Sequence, residues 1–243
     1  MDSGNTSQRS FPTTQWTLIE RVGAEDPVER EKALTEICTH YWPPVYAFIR
    51  SQGKSPHDAE DFTQAFFEEL LDRNDFAKAD ASRGRLRNYL LAAAKNQLNS
   101  AHRNGKRLKR GGGAPLLSID AQDAEGRCLI PEPVDDSSPE KVFDRQWAIT
   151  VLEHVVDALA ARYEAKGQAR LFEALRPFIT TNESTTPKSR LASDLGLSDQ
   201  ALRVAIHRLR QRYGELLRET VRATLGREES VENEIRQLLD SFG

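Results

Sequence analysis

Cysteine is scarce in this 243-residue chain: Cys38 and Cys128 are the only two, 90 positions apart and in no CxxC pair. Neither a disulfide framework nor a cysteine-based zinc site is expected, and a reducing, cytoplasmic compartment is the natural setting. Aromatic residues make up 7% of the chain and long β-branched runs are missing, which argues against a β-sandwich. No apolar run reaches the roughly 18 residues of a membrane span. The first ten residues are polar and lack the apolar segment of a signal peptide. A Walker loop, a metal-ligand cluster and a nucleophile–base pairing are likewise missing, so no enzymatic activity, cofactor or metal is expected. Asp58, Glu60 and Asp61 are close in sequence, but neighbouring helical positions diverge by about 100° and do not converge on one ion.

What is present is mostly polar. Hydrophobic residues account for 38% and charged residues for 29%, with a mean hydropathy of -0.61. That composition suits two small helical domains better than one large enzyme core. The net charge of -3 conceals a sorted distribution. Seven acids and one base lie between Asp58 and Asp75, then nine bases and no acid between Arg83 and Arg110. Seven carboxylates accompany the single Arg127 between Ala114 and Glu140, and Arg203, Arg208, Arg210 and Arg212 follow without an acid between Gln200 and Tyr213. Two basic blocks separated by acidic ones are either solvated helix faces or two nucleic-acid contacts in one molecule. The segment 113–140, with Pro115, Pro131, Pro133 and Pro139 among Asp, Glu and Ser, reads as an acidic linker. Its apolar surface is too small to offset the entropy of ordering the chain.

In the N-terminal half, Ser55-Pro56 predicts a helix start, a cap followed by proline at the first helical position. Ala59, Phe62, Phe66 and Leu70, widened by Phe67 and Leu71, share its apolar face, while Asp61, Gln64, Glu68 and Asp72 share an acidic one. The acidic stripe is either a solubilising face or a docking surface for a basic partner. Thr63 lies in this helix, where a phosphate would add further negative charge. A second helix is expected from about Gly84 to Asn104. Leu86, Leu90, Ala93, Ala94 and Ala101 would turn inward, with Asn88, Lys95, Asn99 and Arg103 opposite and Asn96 at the margin. Amides can read base edges while cations hold the phosphate backbone. The run His102 to Arg110 extends this charge, and alone fits a localisation tag or an RNA-binding arm equally well. Upstream, the spacing at 15–19 and 33–38 is helical, and Pro43-Pro44 is expected to interrupt before Val45. Trp16, Tyr41, Trp42 and Cys38 read as core.

The C-terminal half opens with a long amphipathic pattern from Lys141 to Lys166, with Val142, Ile149, Leu152, Val155, Val156 and Leu159 inward. A short helix from Ala169 to Ile179 packs Leu171, Phe172 and Leu175. Residues 189–210 then have a helix-turn-helix layout. Ala192 stands at the close approach, Gly196 at the turn, Leu197 at the wedge and Ser198 at the second cap. Leu202, Ile206, Leu209 and Tyr213 would point inward. Gln200, Arg203, Val204, His207, Arg208 and Gln211 are left for a major groove. The tail 227–243 places Val231, Ile235, Leu238 and Leu239 at helical spacing, as a closing helix or an internal regulator.

These motifs, in this order, resemble an extracytoplasmic-function-type sigma factor of bacterial RNA polymerase. Asp58 to Phe66 resembles region 2.2 of that family, Gly84 to Asn96 regions 2.3 and 2.4, and Leu191 to Leu217 region 4.2. Lys109 to Gly113, Phe143 to Ala148 and Val204 to Arg210 resemble segments of an ECF-like subgroup. The resemblance implies an all-α protein of two small helical domains: region 2 over 1–112, the linker over 113–140, region 4 over 141–226, and a helical extension over 227–243. It also implies a non-enzymatic initiation subunit. Asp58, Glu60, Asp61, Gln64 and Glu68 would dock on the polymerase clamp helices. Asn96 and Ser100 would read −10 bases and Lys95 and Arg103 hold phosphates, with Arg85, Arg87, Asn88, Asn99, Lys106 and Arg107 completing the −10 contacts. The loop 80–87 would form the pocket for an unstacked base. Ser198, Gln200, Arg203, Val204, His207, Arg208, Gln211 and Arg212 would engage the −35 duplex. Implied partners are the core polymerase (clamp helices and flap), promoter DNA and an anti-sigma factor, with no membrane. Many family members carry arginine where Ala205 stands and more basic residues at Ser100 and Ala101, so the promoter consensus does not transfer. A helix-turn-helix regulator that binds duplex DNA without polymerase is the alternative.

Overall fold

A computed structural model describes residues 21–22, 26–72, 85–103, 138–181, 187–225 and 229–242, side chains at 71–72 and 101–103 excepted. The protein is all-α. Its helices are α1 (Pro27–Ser51), α2 (Pro56–Asp72), α3 (Leu86–Arg103), α4 (Pro139–Glu164), α5 (Ala169–Leu175) followed by a 3-10 turn (Arg176–Phe178), α6 (Lys188–Asp194), α7 (Asp199–Arg222) and α8 (Val231–Asp240). No strand occurs among the described residues, and no described helix is long and apolar enough to cross a membrane. The expected linker, apart from its last three residues, and the stretch around Trp16 lie outside the described residues.

The chain forms two compact units. The first takes in 1–147 and 223–230 with Phe242, and the second 148–222 and 231–241 with Gly243. The end of α4 that precedes Ala148 thus belongs to the first unit.

In the first unit, α1 begins at Asp26, whose carboxylate accepts the Val28 amide at 3.0 Å. The helix continues through Pro43 and Pro44 rather than breaking there as their sequence predicts. Two prolines withdraw two amide donors. Against that cost, Tyr41, Trp42 and every residue from Pro44 to Ile49 are buried, so tertiary packing overrides local propensity. Trp42 and Tyr46 stack with centroids 5.0 Å apart. Cys38 is 3% exposed, and burial pushes its thiol up to about 12. Helix α1 packs on both α2 and α3. Ser55 caps α2: its Oγ accepts the Asp58 amide at 3.1 Å and donates to the Asp58 carboxylate at 2.7 Å.

The second unit is built on Val155, Leu159 and Tyr163 of α4, Phe172 and Leu175 of α5, Phe178, Ala192 of α6, and Leu202, Ile206, Leu209 and Leu216 of α7. Helix α4 is less amphipathic than its sequence suggests, because Gln146 to Val151 are buried on every side. Its C-terminus closes on Gly167 at φ +67°, with the Gln168 amide donating to Tyr163 O at 2.9 Å. Helix α8 packs on α7. It buries Val231, Glu234 and Leu238 and leaves Leu239 60% exposed, so its inward face is rotated from the one expected.

Candidate functional site

On α2 the buried face is Ala59, Thr63, Phe66, Phe67 and Leu70, with Phe62 only half-buried at its margin. Thr63 is fully buried and its hydroxyl donates to Ala59 O at 2.7 Å. It is therefore a core residue of the folded unit, where a phosphate on its hydroxyl would have no access to solvent. Asp58 and Asp61 are exposed, and Glu60, Gln64 and Glu68 are half-buried. The Gln64 amide donates to Glu68 at 3.0 Å, and His57 lies 3.6 Å from the Asp61 carboxylate. The outer side of α2 is thus a stripe of carboxylates and one amide.

Helix α3 buries Leu86, Arg87, Leu90, Ala94 and Leu98. Asn88, Asn96, Asn99 and Ser100 are exposed, at the spacing of a single helix face. The Ser100 hydroxyl donates back to Asn96 O at 2.8 Å. Amides and a hydroxyl offer both donors and acceptors to a base edge. The cations of this helix are disposed differently. Arg87 is 8% exposed, its guanidinium 4.4 Å above the Trp147 ring and 3.6 Å from Asp144. Burial lowers its proton affinity, and the Asp144 carboxylate opposes that. Arg87 does not face solvent as a phosphate contact would. Arg85 pairs with Glu229 at 2.8 Å, and Lys95 with Glu140 at 2.5 Å. The hydrogen bond from Lys95, helped by Ser138, holds the Glu140 carboxyl at about 2, below its ordinary 4.5. The side chain of Arg103, and Lys106 and Arg107 entirely, lie outside the described residues.

The three acids that pair with Arg85, Arg87 and Lys95 were not legible as their partners. Glu140 and Asp144 lie at the start of α4 and Glu229 just before α8, 144 residues from Arg85. No local pattern pairs residues so distant.

The second helix pair is arranged around one turn. Helix α6 ends at Asp194, and Gly196 adopts φ +66°. The Gly196 amide donates to Ser193 O at 3.0 Å and the Leu197 amide to Ala192 O at 2.9 Å, the two bonds of a Schellman closure. Ser198 then starts α7, its Oγ accepting the Ala201 amide at 3.1 Å. Leu202, Ile206 and Leu209 are buried and Tyr213 half-buried, so the opposite face is set. Gln200, Arg203, Val204, His207, Arg208 and Gln211 are all exposed on it, and so is Ser198 at its head. Arg212, expected among them, is half-buried instead. Its guanidinium donates to the Tyr163 hydroxyl at 3.1 Å and stands 5.4 Å from the Tyr163 ring centroid. Arg210 is likewise structural, donating to Phe178 O at 2.7 Å and Thr181 O at 2.8 Å. Both sit about 100° from the outward direction, which explains why a count of arginines overstates the charge available.

Among the described residues, no group of three or more His, Cys, Asp or Glu is placed to hold a metal ion. In comparison with known proteins, no family model, no curated protein and no solved structure matches this chain.

Proposed function

We propose that this chain is a sigma factor of the extracytoplasmic-function type: a cytoplasmic, non-enzymatic subunit that directs bacterial RNA polymerase to promoters. The observation that carries the reading is the outer face of α7, where Gln200, Arg203, His207, Arg208 and Gln211 stand exposed behind the short helix α6 and the Gly196 turn. That is the disposition a recognition helix needs in a major groove, with amides and guanidinium groups aimed at base edges. The first unit supports the polymerase-dependent form of the reading, since the exposed amides of α3 accompany the acidic face of α2 in one unit. In this reading Asp58, Glu60, Asp61, Gln64 and Glu68 meet the basic clamp of the polymerase. Asn88, Asn96, Asn99 and Ser100 address the non-template strand of the −10 element. The ion pairs at Arg85 and Lys95 would have to exchange carboxylate for phosphate before those cations touched DNA.

The test is transcription in vitro with bacterial core polymerase, this protein and a genomic promoter library, mapping transcript 5′ ends. A shared pair of upstream elements is the expected outcome. Duplex binding by the chain alone, with neither core binding nor transcripts, would instead make it a helix-turn-helix regulator. Binding of core without transcripts from any promoter would refute the initiation role.

A further inference from the structure

The polar face of α7 has an apolar centre. Val204 keeps 42% of its surface exposed, and it is the one large hydrophobic residue so exposed on this helix. Its neighbours one turn away are Gln200 and the half-buried Ala201 behind and His207 and Arg208 ahead, with Arg203 adjacent, and the four polar ones are exposed. The helix gains nothing from valine at this position. A β-branched residue is a weaker helix former than alanine, lysine or glutamine, and its methyls here rest on no core. Isolated exposed hydrophobic residues are common on protein surfaces. This one differs in its setting, ringed by amide, imidazole and guanidinium groups that favour polar edges.

A major groove offers such a ring one apolar feature. The C5-methyl group of a pyrimidine projects into the groove beside the polar atoms that amides and guanidinium groups bind. We propose that Val204 reads a 5-methylpyrimidine in the upstream promoter element, thymine or 5-methylcytosine, flanked by base pairs that the polar ring addresses. The inference rests on the reading of α7 as a duplex-recognition helix and names the group that its centre selects. Shape follows from the same geometry: a branched side chain with two methyls covers one methyl group, whereas alanine stops short of it and a longer cation would displace it.

The experiment substitutes single atoms in the DNA. Holoenzyme, assembled from core polymerase and the full chain, is bound to a promoter recovered by transcript mapping. Each thymine of the upstream element is replaced in turn by deoxyuridine, which lacks only the methyl, and each cytosine by 5-methylcytosine. Binding is expected to weaken about four-fold at one thymine, the effect of exposing one methyl-sized group. A gain of similar size at one cytosine, with no thymine sensitive, would assign the modified base instead. Val204→Ala, which removes an exposed side chain and leaves the core intact, is expected to lose about as much affinity on thymine DNA. It should also bind the thymine and deoxyuridine promoters equally. Holoenzyme indifferent to every methyl, or Val204→Ala still sensitive to the same one, would overturn the inference while leaving the sigma reading standing. Should the chain fail to bind core or to initiate, that reading falls, and the same substitutions in a duplex selected by the chain alone decide the inference. Selection of no duplex at all refutes both.

Discussion

Arg87 and Arg212 each hold a guanidinium against an aromatic ring, Trp147 and Tyr163 respectively. A guanidinium over a ring is held by the ring quadrupole, and it also covers apolar surface with its stem. Arg87 is the more deeply buried, with Trp147 beneath it and Asp144 beside it. Arg87→Ala should therefore cost about 2 kcal/mol, through the lost stacking and packing at a site where the carboxylate partner is itself half in water. Arg87→Met, which keeps the volume, should cost less. Denaturant midpoints measure both. Unchanged stability with lost promoter opening would return Arg87 to the DNA. Glu140 supplies a pH dependence. Its carboxyl is held at about 2 rather than 4.5, so its pair with Lys95 contributes fully above about pH 4.5 and is lost as pH falls toward 2. In Glu140→Gln the acid limb of a melting-temperature profile should be shallower over that window and the neutral plateau little changed.

Element boundaries and apolar faces were largely legible because they depend on near neighbours. Ser55 before Pro56 marked the start of α2, and Gly196 before Leu197 and Ser198 marked the turn into α7. What could not be read was decided at long range. Pro43 and Pro44 stay helical because the residues around them are buried, and Thr63 joins the buried face of α2, a helix that packs on α1. On α3 the exposed amides were visible in the 3.6-residue period, but the ownership of its cations by Glu140, Asp144 and Glu229 was not. The Gly196 turn permits a prediction at this scale. A Cβ built at Gly196 meets nothing within 4 Å, so Gly196→Ala incurs only the left-handed backbone penalty. That is about 1–2 kcal/mol, with Gly196→Asn costing less. If instead the alanine variant melted like the wild type, the turn would have an alternative closure and the orientation of α7 would not depend on it.

At the scale of the molecule, Arg203 and Arg208, the two exposed arginines on the outward face of the helix-turn-helix, predict how the proposed duplex binding would respond to salt. Replacing Arg203 and Arg208 together by alanine should lower the log–log salt slope of holoenzyme binding by up to about 2 if both meet phosphates. A base contact would instead show as relaxed preference at one position, so the pair of readouts separates the two roles. On the first unit, Asp61→Asn with Gln64→Ala should weaken core polymerase binding while circular dichroism stays unchanged, since both side chains lie outside the core. Normal core affinity in that variant would remove α2 from the interface. Cys38 reaches further than its role in packing. Its thiol is buried on the inward face of α1, where burial also raises its pKa, so a maleimide adduct there records an excursion in which the surrounding helices have parted. With Cys128 replaced by serine, the rate of mass gain becomes a count of those excursions in plain buffer. On the proposed reading, labelling should slow with core polymerase present, to the extent that docking steadies the interior of the first unit.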